Sequence, residues 1–478
     1  MLYGQENKIY NNNTSTNFES FQWEKDSIII DQLFRRYSGK KPGASFMVIK
    51  DTNIIVNKSY GYANLDEKIK ATANTNYRTA SVTKQFTAMA IMMLIHQNKL
   101  SYESKLTEIF PDFPDYGNKI TIKHLLVHRS GLIDYMNLIA KNRTEQILDD
   151  EVFQLMKEQS RTLFDPGSRY EYSNSAYAVL AEVIAKLSGI SFRHYMKTKI
   201  FNPLNMSNTS VYKKDIPISN RAYGYTISGD KITLTDQSTT SAVQGDGGIY
   251  TSITDYQKWN KALYSDQLIP LEEFEKGLVS YYDDPKLLVQ RYGNGWRIDY
   301  SGSIKITHHS GHTKGFTNYT IRIPELKLCV VSFSNRNNDD AIIRIGNTIA
   351  ALYSDNRLPV PVDAFIESFF DKDGYKKAIT LYQKLKNKKD HNYLFSENAL
   401  FIIGKELQKQ NKYKEAIEVY EFNFNEYPAS FSTCYELANC YFSNNETEKA
   451  RIYYKKAILL VPTIYQEIFK TSSKRLNK

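Results

Sequence analysis

The chain has 478 residues, more than one typical domain holds, with 41% apolar and 24% charged residues, which excludes global disorder and leaves enough for a large core. Lys and Arg total 62 against 52 Asp and Glu, a net charge of +10, with no basic block before the tail Lys474, Arg475 and Lys478, so the pattern argues against a nucleic-acid binder. Three cysteines, Cys329, Cys434 and Cys440, make neither a disulfide framework nor a metal quartet.

In chain order, Met1 to Glu6 has no basic n-region and no apolar core, so as written it is no signal peptide, though it reads like the last residues of one. Export is one expectation and a cytoplasmic protein the other. Residues 1–25 are expected to be a flexible polar segment. Phe46–Ile49 and Ile54–Val56 flank the polar turn Asp51-Thr52-Asn53 and predict an antiparallel hairpin. Helices are predicted from Ser81 to Asn98 and from Ser175 to Leu187, the second stopped by Ser188-Gly189. The longest apolar run, Ala88 to Ile95, is too short to span a membrane and reads as a buried helix. Strands follow at Ser303–His308, Thr317–Ile323 and Leu328–Ser332, with Pro324-Glu325 turning between the last two. Strands at both ends with helices between predict an α+β domain over residues 26–357. It has an antiparallel sheet flanked by helices, with an all-helical insert.

The pattern changes at Pro359 and Pro361. Ala416, Tyr420 and Pro428 recur 34 residues later as Ala450, Tyr454 and Pro462, and Gly404 recurs as Ala438. That period, with small residues where paired helices cross, is the tetratricopeptide signature and predicts an all-α repeat domain over residues 358–478. Tyr375–Tyr382 resembles Tyr413–Tyr420 and reads as a degenerate first unit.

Ser-x-x-Lys suits covalent catalysis because positions i and i+3 share a helix face, and a desolvated amine can take the hydroxyl's proton. The motif occurs at Ser38/Lys41, Ser81/Lys84, Ser210/Lys213 and Ser228/Lys231, and only Ser81 precedes a long apolar helix that would bury its lysine. Tyr172-Ser173-Asn174 adds a proton-relaying hydroxyl and a side-chain amide, on a loop between Asp165-Pro166-Gly167 and a helix. Further Tyr-x-Asn copies, among them Tyr292/Asn294, are expected by chance with 36 tyrosines. His309-Ser310-Gly311 ends a strand, where the glycine would let substrate pass close and the His312 N–H can face an oxyanion.

Ser81-Val82-Thr83-Lys84, Tyr172-Ser173-Asn174 and His309-Ser310-Gly311, in that order, resemble the serine β-lactamase and penicillin-binding protein superfamily, and within it the class C-like branch. The companion segments His124 to Leu132, Gly247 to Ser252 and Gly311 to Phe316 agree. The resemblance covers about residues 26–357. It implies Ser81 as nucleophile, Lys84 and Tyr172 as proton carriers, and Asn174 together with the strand residues His309, Ser310, Gly311 and His312 as substrate contacts. The N–H groups of Ser81 and His312 would form the oxyanion hole. His309 stands where β-lactamases carry a lysine, which favours esters, amides and D-Ala or D-amino-acid peptides over β-lactams.

The implied activity is a cofactor-free serine hydrolase acting through an acyl-enzyme on a small-molecule or peptide substrate, including cell-wall peptides. The alternative is an inactive β-lactamase fold whose repeats bind a protein or peptide. Whichever holds, the repeats can instead be only a structural extension docked on the first domain. A metal site is not expected: Leu125 breaks the HExxH pattern at His124 and His128, which read as packing residues on a structural helix, and His308 and His309 point to opposite strand faces.

Overall fold

The computed structural model describes residues 27–278, 291–388 and 392–461. The expected flexible N-terminal segment, Pro462 and the basic tail lie outside the described residues. Seven antiparallel strands form the main sheet: β1 Ala44–Lys50, β2 Asn53–Tyr60, β3 Arg291–Gly293, β4 Trp296–Ser301, β5 Ile304–Thr313, β6 Phe316–Ile323 and β7 Leu328–Ser334. Their order is β3-β4-β5-β6-β7-β1-β2. The last strand closes on the first, with Ala44 opposite Ser334 and Lys50 opposite Leu328, so pieces from both ends of the domain share one sheet.

Both faces of the sheet are covered, which is why β7 is buried along its whole length and reads as a continuous apolar run. On one face, Val48, Ile321 and Val330 pack against helices α1 (Ser27–Leu33) and α4 (Ala341–Leu352). On the other, Met47, Val331 and Phe333 join the larger core, which holds α2 (Lys84–His96) and α3 (Asn174–Ser188). Helix α2 is buried from Lys84 to Leu94. A helix apolar all round must lie inside, and here it forms the floor under the sheet. Strands β3 and β4 are additions to the sequence expectation. The first is only three residues long, too short for a pattern, whereas the second does alternate, with Trp296 and Ile298 buried and Arg297 and Asp299 more exposed, and is missed all the same.

The C-terminal helices pair in sequence order: α5 Asp363–Asp373 with α6 Tyr375–Asn387, α7 Asn398–Lys409 with α8 Tyr413–Glu426, and α9 Phe431–Ser443 with α10 Thr447–Leu460. The small residue of the repeat has a clear cause: a Cβ on Gly404 would sit 2.4 Å from the Tyr420 ring that crosses it. Helix α5 also docks on the sheet domain. Phe365 is buried with Ile345 and Ile349. Glu367, nearly buried, takes both Arg344 (2.8 and 2.9 Å) and Arg36 (2.7 Å). The repeat region is therefore seated on the first domain through its first helix. Among the described residues, no single helix is long and apolar enough to cross a membrane.

Candidate active site

Ser81 does not open the long helix. It lies in a 3₁₀ turn, Ala80–Thr83, and α2 begins at Lys84. In a 3₁₀ turn residues i and i+3 eclipse, so the junction stacks Lys84 directly on Ser81. The turn is held by Thr79, whose N–H and hydroxyl both donate to the Ile249 carbonyl, and by the Asn318 amide donating to the Arg78 carbonyl. Ala80 takes a left-handed φ of 49°, uncommon for alanine, directly before Ser81.

Lys84 is fully buried, and its Nζ lies 3.1 Å from Ser81 Oγ, 2.9 Å from Asn174 Oδ1 and 2.8 Å from the Asp246 carbonyl. All three partners are uncharged oxygens. Two of them only accept, so two Nζ hydrogens satisfy Asn174 and Asp246, and the third direction meets a hydroxyl that can donate. The Asp246 carbonyl is aimed by a short helix, Gln244–Gly247, whose first N–H groups donate to the buried Asp149 carboxylate at 2.7 and 3.0 Å. Burial holds the Asp149 carboxyl well above the usual range.

Tyr172 is brought to the same place: its ring centroid lies 5.0 Å from Lys84 Nζ. Its hydroxyl is buried and hydrogen-bonds to no described group. Asn174 is the first residue of α3, behind the Ser173 cap, so its side chain reaches Lys84 from a helix start. Ser81, Asn174, Tyr135, Thr240, Gly247 and His312 are among the residues lining one cleft.

The third segment behaves differently from expectation. His309 faces the Lys84 side of the sheet but is buried, at 1% exposure. Its Nδ1 lies 2.7 Å from the Ser310 carbonyl, which can only accept, so the ring proton is assigned to Nδ1. Nε2 then accepts from the Tyr292 hydroxyl at 2.9 Å. Burial first, then the Arg297 and Lys84 charges, push the His309 pKa well below its ordinary value. Ser310 is a correction: strand alternation turns its side chain to the opposite face, and its part here is the carbonyl that orients His309. Gly311 is another. Its missing Cβ makes room for the protein's own Thr79 carbonyl, which would lie 2.1 Å from that atom, rather than for substrate. The His312 imidazole bonds Asp340 at 2.8 Å, just before α4. Beyond His308, β5 has no partner on the β4 side among the described residues, and this edge lies beside the Ser81 turn.

The other histidines are held separately: His308 bonds Asp299 and His96 bonds Glu273. Among the described residues no group of three His, Cys, Asp or Glu is placed to hold a metal. His128 corrects the helical reading. The helix there is only Ile122–Leu126, and His128 lies beyond it with φ 59° and its ring 4.1 Å from that of Tyr172. Tyr292, set aside in sequence as a chance copy, is the donor to His309.

A buried histidine kept neutral favours folding only where the unfolded chain's histidine is also neutral. A depressed folded pKa thus costs stability as pH falls below the unfolded value near 6.5. Relative to a His309→Gln variant, the wild type should lose about 1.4 kcal/mol for each pH unit below 6.5. Urea midpoints of both proteins at pH 7.5, 6.5 and 5.5 check this, and a pH-independent difference would contradict it.

The family model described as Beta-lactamase matches residues 30–353, and a Tetratricopeptide repeat model matches residues 431–464. A penicillin-binding protein of Bacillus subtilis is 32% identical over 303 residues, 60% of this chain and 66% of that protein. Protein flp of Staphylococcus aureus is 27% identical over 330 residues, 66% of this chain and 64% of that protein. The chain thus spans just under two thirds of the length of these curated relatives. Among solved structures, the octameric penicillin-binding protein homologue from Pyrococcus abyssi has 28% identity and a TM-score of 0.60, covering 73% of this chain and 80% of its own. A penicillin binding protein from Bacillus halodurans has 25% identity and a TM-score of 0.59, covering 68% and 100%. The D-amino acid amidase from Ochrobactrum anthropi, at 22% identity and a TM-score of 0.56 over 68% and 95%, shares the fold.

Proposed function

The chain belongs to the β-lactamase family, and from that premise we propose that it is an active serine hydrolase working through an acyl-enzyme on Ser81. The observation that carries this is the amine of Lys84, buried among three uncharged oxygens of which Ser81 Oγ alone can give it a proton. Ser81 Oγ attacks a carbonyl carbon as its proton passes to Lys84 Nζ. The N–H groups of Ser81 and His312 take the developing oxyanion. The proton reaches the leaving group through the Tyr172 hydroxyl, which no described group occupies. Water then releases the acyl group and returns the proton to Ser81.

His309 bears on the substrate. An imidazole kept neutral, with both nitrogens engaged inside the protein, gives a substrate carboxylate no cation at this position. The reading therefore favours short esters, amides and D-Ala peptides over β-lactams. The helices beyond α5 are proposed to bind a protein or peptide partner, since α5 itself is used in docking. Turnover of p-nitrophenyl acetate, D-Ala-p-nitroanilide and a chromogenic cephalosporin, measured side by side, tests the proposal. The ester or the anilide should be the faster substrate. A cephalosporin turned over fastest would contradict the substrate reading, and no turnover of any of the three would contradict hydrolysis.

A further inference from the structure

Residues 170–173, which carry Tyr172, have no regular secondary structure, so the strand and helix ladders do not set the height of its ring. His128 supplies what they do not. Its carbonyl accepts the Glu171 N–H at 2.9 Å and its Nδ1 accepts the Ser173 N–H at 3.0 Å. These two bonds bracket Tyr172 in sequence. The ring itself lies against the Tyr172 ring, with centroids 4.1 Å apart and a tilt of 34°. A residue in an ordinary helical or extended conformation would send its carbonyl and side chain elsewhere. His128 instead takes φ 59°, a left-handed backbone that few non-glycine residues adopt and that histidine, like asparagine and aspartate, tolerates better than most, beyond a helix that has already ended.

The neighbours make the same connection. The Gly167 N–H donates to the Arg129 carbonyl at 2.8 Å, and Arg129 Nη1 donates back to the Gly167 carbonyl at 3.0 Å. The His128 ring also meets Tyr292 edge-on at 4.4 Å, the tyrosine that donates to His309, and the Tyr292 and Tyr172 rings lie 6.3 Å apart. With Nδ1 accepting, the ring proton is assigned to Nε2, which is buried and bonds no described group. A core histidine serving only to fill space would need neither the left-handed turn nor two bonds to one short segment.

We propose that His128 is a positioning residue, which grips the chain on both sides of Tyr172 and sets that ring beside Lys84. This rests on the role given to Tyr172 above. The residue touches no substrate; it acts through the tyrosine.

A double-mutant cycle on p-nitrophenyl acetate hydrolysis tests it, with far-UV circular dichroism and melting temperature recorded for each variant. His128→Ala should lower kcat about 100-fold, the scale of a misplacement near 1 Å, with KM within about 3-fold. His128→Asn should recover at least about 10-fold of that loss, because asparagine tolerates the left-handed turn and its Oδ1 can accept the Ser173 N–H. In a Tyr172→Phe background, His128→Ala should cost less than about 3-fold, since the group it positions is already gone. Equal losses in both backgrounds would overturn the grip, as would a rise in KM at unchanged kcat. Tyr172→Phe at wild-type kcat would instead overturn the role of Tyr172 itself. Should His128→Ala fail to fold, the cycle runs with His128→Asn, and its smaller loss should likewise vanish in the Tyr172→Phe background.

Discussion

Lys84→Ala should lower kcat by about 10²–10⁴, the range for removing a positioned general base, and Ser81→Ala should abolish turnover. The reason lies in how the amine is held. Asn174 Oδ1 and the Asp246 carbonyl fix Nζ from two directions and leave the third on Ser81 Oγ at 3.1 Å. Both fixing atoms are neutral oxygens, and the Asp246 carboxyl, which acts on Lys84 only through space, accepts instead from the Tyr135 hydroxyl at 3.0 Å. A lysine kept for stability alone would be expected against a carboxylate, as Lys157 is against Asp112. Truncation leaves the Asn174 and Asp246 oxygens without their donor at about 1–3 kcal/mol each, and releases the cost of enclosing an amine. The melting temperature should therefore move far less than the rate. Steady-state rates at saturating ester, beside thermal melts, separate the two effects. A Lys84→Ala enzyme within a few-fold of wild type would remove lysine from the proton path.

Gly311→Ala should damage rate and stability together. The added Cβ would stand 2.1 Å from the Thr79 carbonyl oxygen, 3.2 Å from its carbon and 3.3 Å from Ala80 Cβ. These atoms are backbone or next to it, so no flexible side chain can yield. Either β5 or the Ser81 turn must move. The turn is pinned by the two Thr79 bonds to Ile249 and by the Asn318 bond to Arg78. Overpacking of this kind costs about 1–3 kcal/mol. A shift near 1 Å between Ser81 and the β5 edge would cost about 100-fold in kcat. Because Ser81 and His312 both move relative to each other, the loss should fall in kcat more than in KM. A Gly311→Ala enzyme with unaltered melting temperature and rate would mean the strand does not press on the nucleophile turn.

Much of this site was legible because its parts sit at the starts and ends of elements that the sequence marks clearly. Lys84 opens an unbroken apolar helix, and Asn174 follows a serine cap. The repeats were legible for a similar reason: Gly404 and Tyr420 must meet, so both recur at the same offset. Other parts were not. Periodicity carried His124 and His128 onto one helix, but the helix stops at Leu126 and a left-handed residue swings His128 away. Nothing in a residue name announces that turn when the residue is not glycine. Tyr292 was lost among 36 tyrosines, since a two-residue spacing cannot tell a buried donor from a surface copy. Its strand is three residues long and shows no alternation to place it. Gly311 was assigned to the right strand for the wrong neighbour, because what approaches it is 232 residues away in sequence, the Thr79 carbonyl.

The most direct measurement is the site of acylation. The wild-type protein is mixed briefly with an acylating p-nitrophenyl ester or benzylpenicillin, quenched in acid, and weighed intact before peptide mapping. A single acyl group on the peptide bearing Ser81, absent from Ser81→Ala, is the predicted result. Acyl groups on a different residue, or none with either reagent between pH 6 and 9, would contradict it.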